Sequence, residues 1–355
     1  MSSRLLTFKE ALREAHEIAL QDPSVILIGE GVPDPKAIFG TTAGLKEKFP
    51  NQVFDMPVSE NGMTGICIGA AINEMKPILV HQRMDFSLYS ADQLINNAAK
   101  WYSMFGGQKS VPLVIRMIVG RGWGAGNQHS QNLTALFAHV PGLKIFCPSN
   151  ASDAKTMLLA AVKDPNPVLF VEHRWLYETT SEMREEEFQP VPLCYSWNTL
   201  RQWIDEVTIV AAGHATLEAL RARNFLAKAG VKASVVDLRS IKPLGMVFIK
   251  HRVKNTKNLI VVEDGWKFCG LGAEIIAQLA EDGEISFDAP PVRLTYPDYP
   301  SGSSPGLTAN YYVGPYDIGK AVEKVLRRPL DLSELKSYQE SRTHDVPDAN
   351  FRGPF

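Results

Sequence analysis

At 355 residues, with 37 Lys plus Arg against 39 Asp plus Glu, the chain is long enough for two ordinary domains. Its formal charge of −2 gives no electrostatic pull toward nucleic acid or a membrane surface. Cys67, Cys147, Cys194 and Cys269 form no CxxC or Cys/His cluster, so they suggest buried thiols in a reducing compartment rather than a disulfide framework or a zinc site. With no apolar signal core at the start and no apolar run near the ~18 residues of a membrane span, the expectation is small-molecule chemistry in the cytoplasm.

Residues 8–20 carry Ala11, Leu12, Ala15, Ile18 and Ala19 at spacings that predict one buried helix face, and residues 25–28 then make a short all-apolar strand. The alternation continues. Residues 77–80, 111–115, 144–146 and 168–171 read as strands, separated by helical stretches at 91–102 and 152–162, which predicts an α/β domain on a largely parallel sheet. Charge concentrates at 182–187, ahead of Pro190 and Pro192, and places a domain boundary there. The expected division is a first domain over 1–185, a linker over 186–204, a smaller α/β domain over 205–330 and an irregular tail over 331–355. In the second domain, residues 207–212, 233–238 and 259–263 read as strands and 215–229 as a helix.

Three places concentrate chemistry. The first is Glu60, which precedes an apolar stretch with Gly65, Gly69, Ala70 and Ala71 on one helical face, spacing that lets another backbone approach closely. A carboxylate at the mouth of such a helix is expensive to ionise and suits proton exchange with a buried heteroatom, or it simply sits against the helix dipole. The second is the loop 120–131, where alternate glycines lead to His129. Its spacing fits neither GxGxxG nor a Walker loop, so it reads as a tight turn that brings backbone and His129 to a ligand, or as a structural histidine. The third is the strand end carrying His81, Gln82, Arg83 and Asp85, a ligand-collecting position in an open α/β sheet or a solvated charge cluster.

The segments PVSENGMTGICIGAA, DFSLYSADQLINNAAKW, NQHSQ, HVPGLKIFCPSNASDAK, DPNPVLFVEH, VVDLRSIKPL, VVEDGW and GLGAEI, in this order over residues 5–327, resemble the β subunit of the thiamine-diphosphate-dependent decarboxylating component of 2-oxo acid dehydrogenase complexes, of the pyruvate and branched-chain type, in the transketolase superfamily. The resemblance implies a pyrimidine-binding parallel-sheet domain followed by a transketolase C-terminal-type domain. It makes Glu60 the carboxylate that hydrogen-bonds the aminopyrimidine and promotes loss of the thiazolium proton. Phe86 matches the aromatic against that ring, Gln82 falls with the cofactor-binding set, and His129 steers the substrate or acyl group, with His81, Arg83 and Arg121 on the substrate side. Asp164 and Asn166 fall in the loop where relatives can hold a structural potassium ion.

Neither Glu281-Asp-Gly283 nor Glu263-Asp-Gly265 has the GDG…Asn-Asn context that binds Mg²⁺ and the cofactor diphosphate in this superfamily. The chain therefore resembles half an enzyme, needing an α subunit in an α2β2 assembly. The first reading decarboxylates a 2-oxo acid and passes the acyl group to a lipoyl acyltransferase. The other reading is half of a split transketolase-like or acyloin-forming enzyme acting on sugars or sugar phosphates, because Arg83 and Arg121 add cations where relatives lack them and Gly245 replaces a customary Asp.

Overall fold

Runs of Val, Ile and Leu without polar alternation satisfy backbone and side chains together only in a sheet covered on both faces. The computed structural model, which describes residues 4–122, 124–183, 193–197, 205–343 and 346–347, builds two such sheets. The larger one orders Ser240–Lys242, Lys144–Phe146, Val168–His173, Val114–Val119, Lys76–His81, Val25–Gly29 and Val53–Phe54 from edge to edge. Every neighbouring pair is parallel except the first. The smaller sheet orders Val292–Tyr296, Leu259–Trp266, Val207–Ala211, Ala233–Leu238 and Cys194–Trp197, the last antiparallel to its neighbour.

The strand Ser240–Lys242 comes from the second half of the chain yet completes the first sheet, so the two domains are stitched together. Lys242 Nζ donates to the carbonyls of Ala138 and Val140 at 2.6 and 2.8 Å. Arg239 pairs with Asp153 at 2.9 Å, both buried.

Local chemistry explains some element ends. The helix Phe8–Ala19 starts on a capping box between Thr7 and Glu10. It buries Phe8, Ala11, Leu12, Ala15 and Ala19, whereas Ile18, expected on that face, is 44% exposed. The helix expected over 91–102 is broken. A 3₁₀ segment Met84–Ser90 leads into a wide turn Gln93–Ala98, where Ala99 N–H reaches Leu94 O at 3.0 Å, and a short helix Trp101–Met104 follows. Widened turns of this kind are frequent at functional sites.

Other expectations need correction. Part of the linker, Cys194–Trp197, is a strand of the smaller sheet, while residues 186–192 and 198–204 lie outside the described residues. The tail is not irregular throughout, because Ser333–Glu340 is a helix that buries Leu335 against Gly319, where any Cβ would meet Leu335 at 2.7 Å. Cys269 is exposed rather than buried. A side chain at Gly245 would collide with Cys194 Sγ, which accounts for the missing Asp. Among the described residues no helix is long and apolar enough to cross a membrane.

Candidate active site

In the larger sheet Val25–Gly29 sends the chain to the edge strand Val53–Phe54, whereas Lys76–His81 sends it the other way to Val114–Val119. Their carboxyl ends therefore flank a topological switch point, the usual ligand crevice of an open sheet. Glu30, Gly31, Gln82 and Arg83 follow these ends directly. Gln82 Nε2 donates to Glu30 O at 2.7 Å, and Gly31 N–H donates to Asp55 Oδ1 at 2.9 Å. Gly31 has φ +69°, and a Cβ there would sit 2.9 Å from Gln82 Nε2, so the turn needs glycine.

Glu60 opens the helix Glu60–Ile72 and is 7% exposed, yet its carboxylate has no hydrogen-bond partner among the described residues. Glu30 joins it. Burial first, then the charges of Glu60 and Asp55, push the Glu30 carboxyl up, and its Oε1 is buried without a partner. Two carboxyls close enough for one to feel the other's charge, with a buried Glu30 oxygen that has no partner among the described residues, leave acceptors for a ligand that brings donors.

The helix itself is less enclosed than its small residues suggest. Gly65 meets only Gln93 at 3.5 Å, and a Cβ on Gly69 would meet nothing within 4 Å. Ile66 on this helix is 61% exposed, Val58 just ahead of it 82% and Tyr89 70%, so large apolar side chains are left uncovered here. Among the described residues no backbone uses the close approach at Gly65 or Gly69.

His129 meets Phe86 edge to face, with ring centroids 5.3 Å apart and planes at 88°. The loop reaches this position through Gly122, Gly124 and Gly126, all with positive φ, and it rests on the second domain, where Ser301 Oγ donates to Gly126 O at 3.4 Å. Asp85, beside Phe86, accepts from Gln131 N and Nε2 at 3.3 and 2.9 Å. Burial pushes the Asp85 carboxyl up, against those two bonds. The strand end and the His129 loop are thus tied at one point.

The remaining sequence candidates divide. Gln82 and Arg83 belong to the crevice. Arg83 has no ion pair among the described residues, and burial lowers its pKa. His81 is buried against Ser90 Oγ at 3.4 Å and held down to about 4 by burial, a neutral packing residue rather than a substrate contact. Arg121 is buried away in an ion pair with Asp264 at 3.3 Å, sandwiched between Trp175 and Tyr312 at 4.3 and 4.1 Å. It clasps the domains together, and its contacts give it a structural role apart from the Glu60 crevice. The Asp164 carboxylate is engaged by Lys144 at 2.5 Å and by Asn166, so a cation there would have to compete with Lys144 or rely on backbone carbonyls.

Sequence reasoning missed Glu30 and Asp55. The signal was available, since Glu30 directly follows a strand and strand carboxyl ends collect ligand groups. It also missed the buried interdomain cluster of His173, His214, Asp264 and Glu218, whose members are far apart in sequence.

Comparison with known proteins adds to this geometry. The family "Transketolase, pyrimidine binding domain" matches residues 5–180 and "Transketolase, C-terminal domain" matches residues 196–318. The chain is 36% identical over 322 residues to the pyruvate dehydrogenase E1 component subunit beta of Rickettsia bellii, covering 90% of this chain and 98% of the relative. It is 38% identical over 336 residues to the acetoin:2,6-dichlorophenolindophenol oxidoreductase subunit beta of Cupriavidus necator, covering 92% and 98%. A solved structure described as a split gene transketolase, inactive beta4 tetramer, superposes with a TM-score of 0.70 at 22% identity, covering 91% of this chain and 98% of that one.

Proposed function

The chain belongs to the family of pyruvate dehydrogenase E1 β subunits, built from transketolase pyrimidine-binding and C-terminal domains, and from that premise we propose that it supplies the aminopyrimidine half of a thiamine diphosphate site completed by a partner α subunit. The assembled enzyme decarboxylates a 2-oxo acid and transfers the acyl group to a lipoyl acceptor. One observation supports the half-site reading: Glu60 is a buried carboxylate with no hydrogen-bond partner among the described residues, at the start of a helix that leaves Ile66 exposed.

The residues present fit the cofactor. The unmet oxygens of Glu60 and Glu30 match the donor-bearing edge of an aminopyrimidine, and Phe86 supplies an apolar wall. Bound thiamine diphosphate supplies an acidic thiazolium carbon that acts as nucleophile and electron sink. Glu60 would hold the aminopyrimidine through its carboxyl group, which can exchange a proton with a ring nitrogen. Its neighbour Glu30 is pushed up by burial and then by the charges of Glu60 and Asp55. His129, steadied by Phe86 and by the Gln131–Asp85 bonds, serves the substrate side as donor or acceptor. Mg²⁺ and the diphosphate fall to the α partner, since this sequence has no GDG…Asn-Asn element.

A second reading keeps the cofactor and changes the acceptor to a sugar phosphate or acyloin partner. The guanidinium of Arg83, which has no ion pair among the described residues, favours it. Single-turnover decarboxylation by the α-plus-β enzyme, followed in parallel by reductive acylation of a lipoyl domain and by ketol transfer to an aldose phosphate, separates the two. Acylation of the lipoyl domain is expected. Ketol transfer alone selects the second reading, and turnover of neither kind by a cofactor-loaded enzyme refutes both.

A further inference from the structure

A cavity of about 490 Å³ lies between the two domains, apart from the Glu60 crevice and within the usual size range of small-molecule sites. In the smaller sheet, Val207–Ala211 passes the chain to Ala233–Leu238 on one side, whereas Leu259–Trp266 passes it to Val292–Tyr296 on the other. The carboxyl ends of the first and third of these strands therefore flank a second topological switch point. Ala212, Gly213 and Asp264 from that switch point line the cavity, together with Val119, Cys147 and His173 from strand ends of the larger sheet. Both sheets thus aim their ligand-collecting ends at one space.

The wall is largely apolar, through residues such as Leu133, Ile241, Val262 and Leu271, with one polar corner. There the rings of His173 and His214 stack with centroids 4.5 Å apart. His214 is committed on both sides, Nδ1 to Asp264 and Nε2 to Glu218, each at 3.3 Å. His173 is not. Its Nδ1 accepts the Trp175 N–H at 3.1 Å, and burial holds the ring well below the usual imidazole range, so the neutral ring carries its proton on Nε2. That N–H has no hydrogen-bond partner among the described residues, on a side chain only 4% exposed. The same tautomer makes the His173–His214–Asp264 cluster a poor metal site, because Nε2 is protonated and the Nδ1 lone pair is already taken. The helix His214–Lys228 also begins at this wall without a side-chain cap, and its Thr216 N–H donates to Gly213 O at 3.1 Å.

We propose that this interdomain cavity is a second ligand site, taking a small, mainly apolar molecule whose carbonyl or carboxylate oxygen accepts the His173 Nε2–H. Its occupant acts on the enzyme as an effector. Asn132, Leu133 and Thr134 on the wall continue directly from His129 and Gln131, so filling the cavity biases the loop that carries the active-site histidine.

Benzamide and benzoate serve as probes, with benzene as a control that lacks an acceptor, each titrated into the full chain with methyl groups labelled for NMR. The expected result is saturable binding of benzamide or benzoate, with the strongest shifts at Leu133, Val262 and Leu271. Binding should weaken about tenfold or more in His173→Phe and stay near wild type in His173→Gln, whose amide keeps an N–H donor. No saturable shift at those methyls up to about 50 mM of either probe overturns the proposal on affinity arithmetic. Undiminished binding to His173→Phe, or benzene binding as tightly as benzamide, overturns it as well. Should His173→Phe fail to fold, the benzene comparison and His173→Gln decide: loss of binding in a folded His173→Gln counts against the proposal.

Discussion

Replacing Arg121 with Met asks whether this cation serves the fold or the substrate. The guanidinium is buried, pairs with Asp264 at 3.3 Å and lies between Trp175 and Tyr312. Burial alone would raise the Asp264 carboxyl, but His214 and then Arg121 hold it below the usual carboxylate range. Breaking a buried pair from one side costs ~3–5 kcal/mol, and two cation–π contacts add about 1–2 kcal/mol each. Against that, His214 stays 3.3 Å from Asp264 and keeps it from being orphaned, and Met refills most of the volume. A net loss of about 2–4 kcal/mol is therefore expected, roughly a 3–5 °C fall in Tm for a chain of this length. Differential scanning calorimetry of the full chain reads it, and the KM for the 2-oxo acid in the assembled enzyme reads the alternative. A Tm like wild type together with a strongly raised KM would refute the clasp and return Arg121 to the substrate.

Glu60→Gln should leave folding intact and abolish deuterium exchange at the thiazolium carbon in the assembled enzyme, since an amide has no carboxyl proton to trade; exchange at the normal rate would show Glu60 misassigned. His129→Ala should spare cofactor binding and slow single-turnover decarboxylation or acyl transfer by about 10²-fold or more, and unchanged rates would contradict its role. Asp237, which accepts bonds from Ser149 and Thr216, is pushed up to about 7 by burial and then by Asp153. Because the folded state binds this proton more tightly than the unfolded one, its contribution to stability is greatest at low pH and falls as pH rises from the ordinary Asp range to about 7. Asp237→Asn should flatten the fall in urea-unfolding free energy over that window by up to a few kcal/mol, on the order of 1.4 per unit; an unaltered pH slope would contradict it.

Much of this was legible from residue order alone. Unbroken apolar runs such as Ile78 to Val80 fit only a doubly covered strand, and the segments around Glu60 and His129 pointed to one kind of chemistry before any contact was known. What was not legible depends on juxtaposition. Arg121 looked like a substrate cation because it sits in the glycine loop, but Asp264, 143 positions away, takes it. Gly65 and Gly69 read as a face for close backbone approach, but among the described residues a Cβ on Gly65 would meet only Gln93 and one on Gly69 nothing within 4 Å, which sequence spacing cannot tell. Ser240–Lys242 reads as part of the second domain because local pattern carries no register, and only the fold shows it closing the first sheet.

The half-site claim is tested most directly by calorimetric titration of thiamine diphosphate with Mg²⁺, first into this chain alone and then into the chain assembled with its α subunit. The Glu60 crevice has carboxyls for a pyrimidine, while the sequence has no element for a metal-bound diphosphate. Weak, Mg²⁺-independent binding to the isolated chain and tight, Mg²⁺-dependent binding to the assembly are predicted. Tight Mg²⁺-dependent binding to the isolated chain would contradict the account.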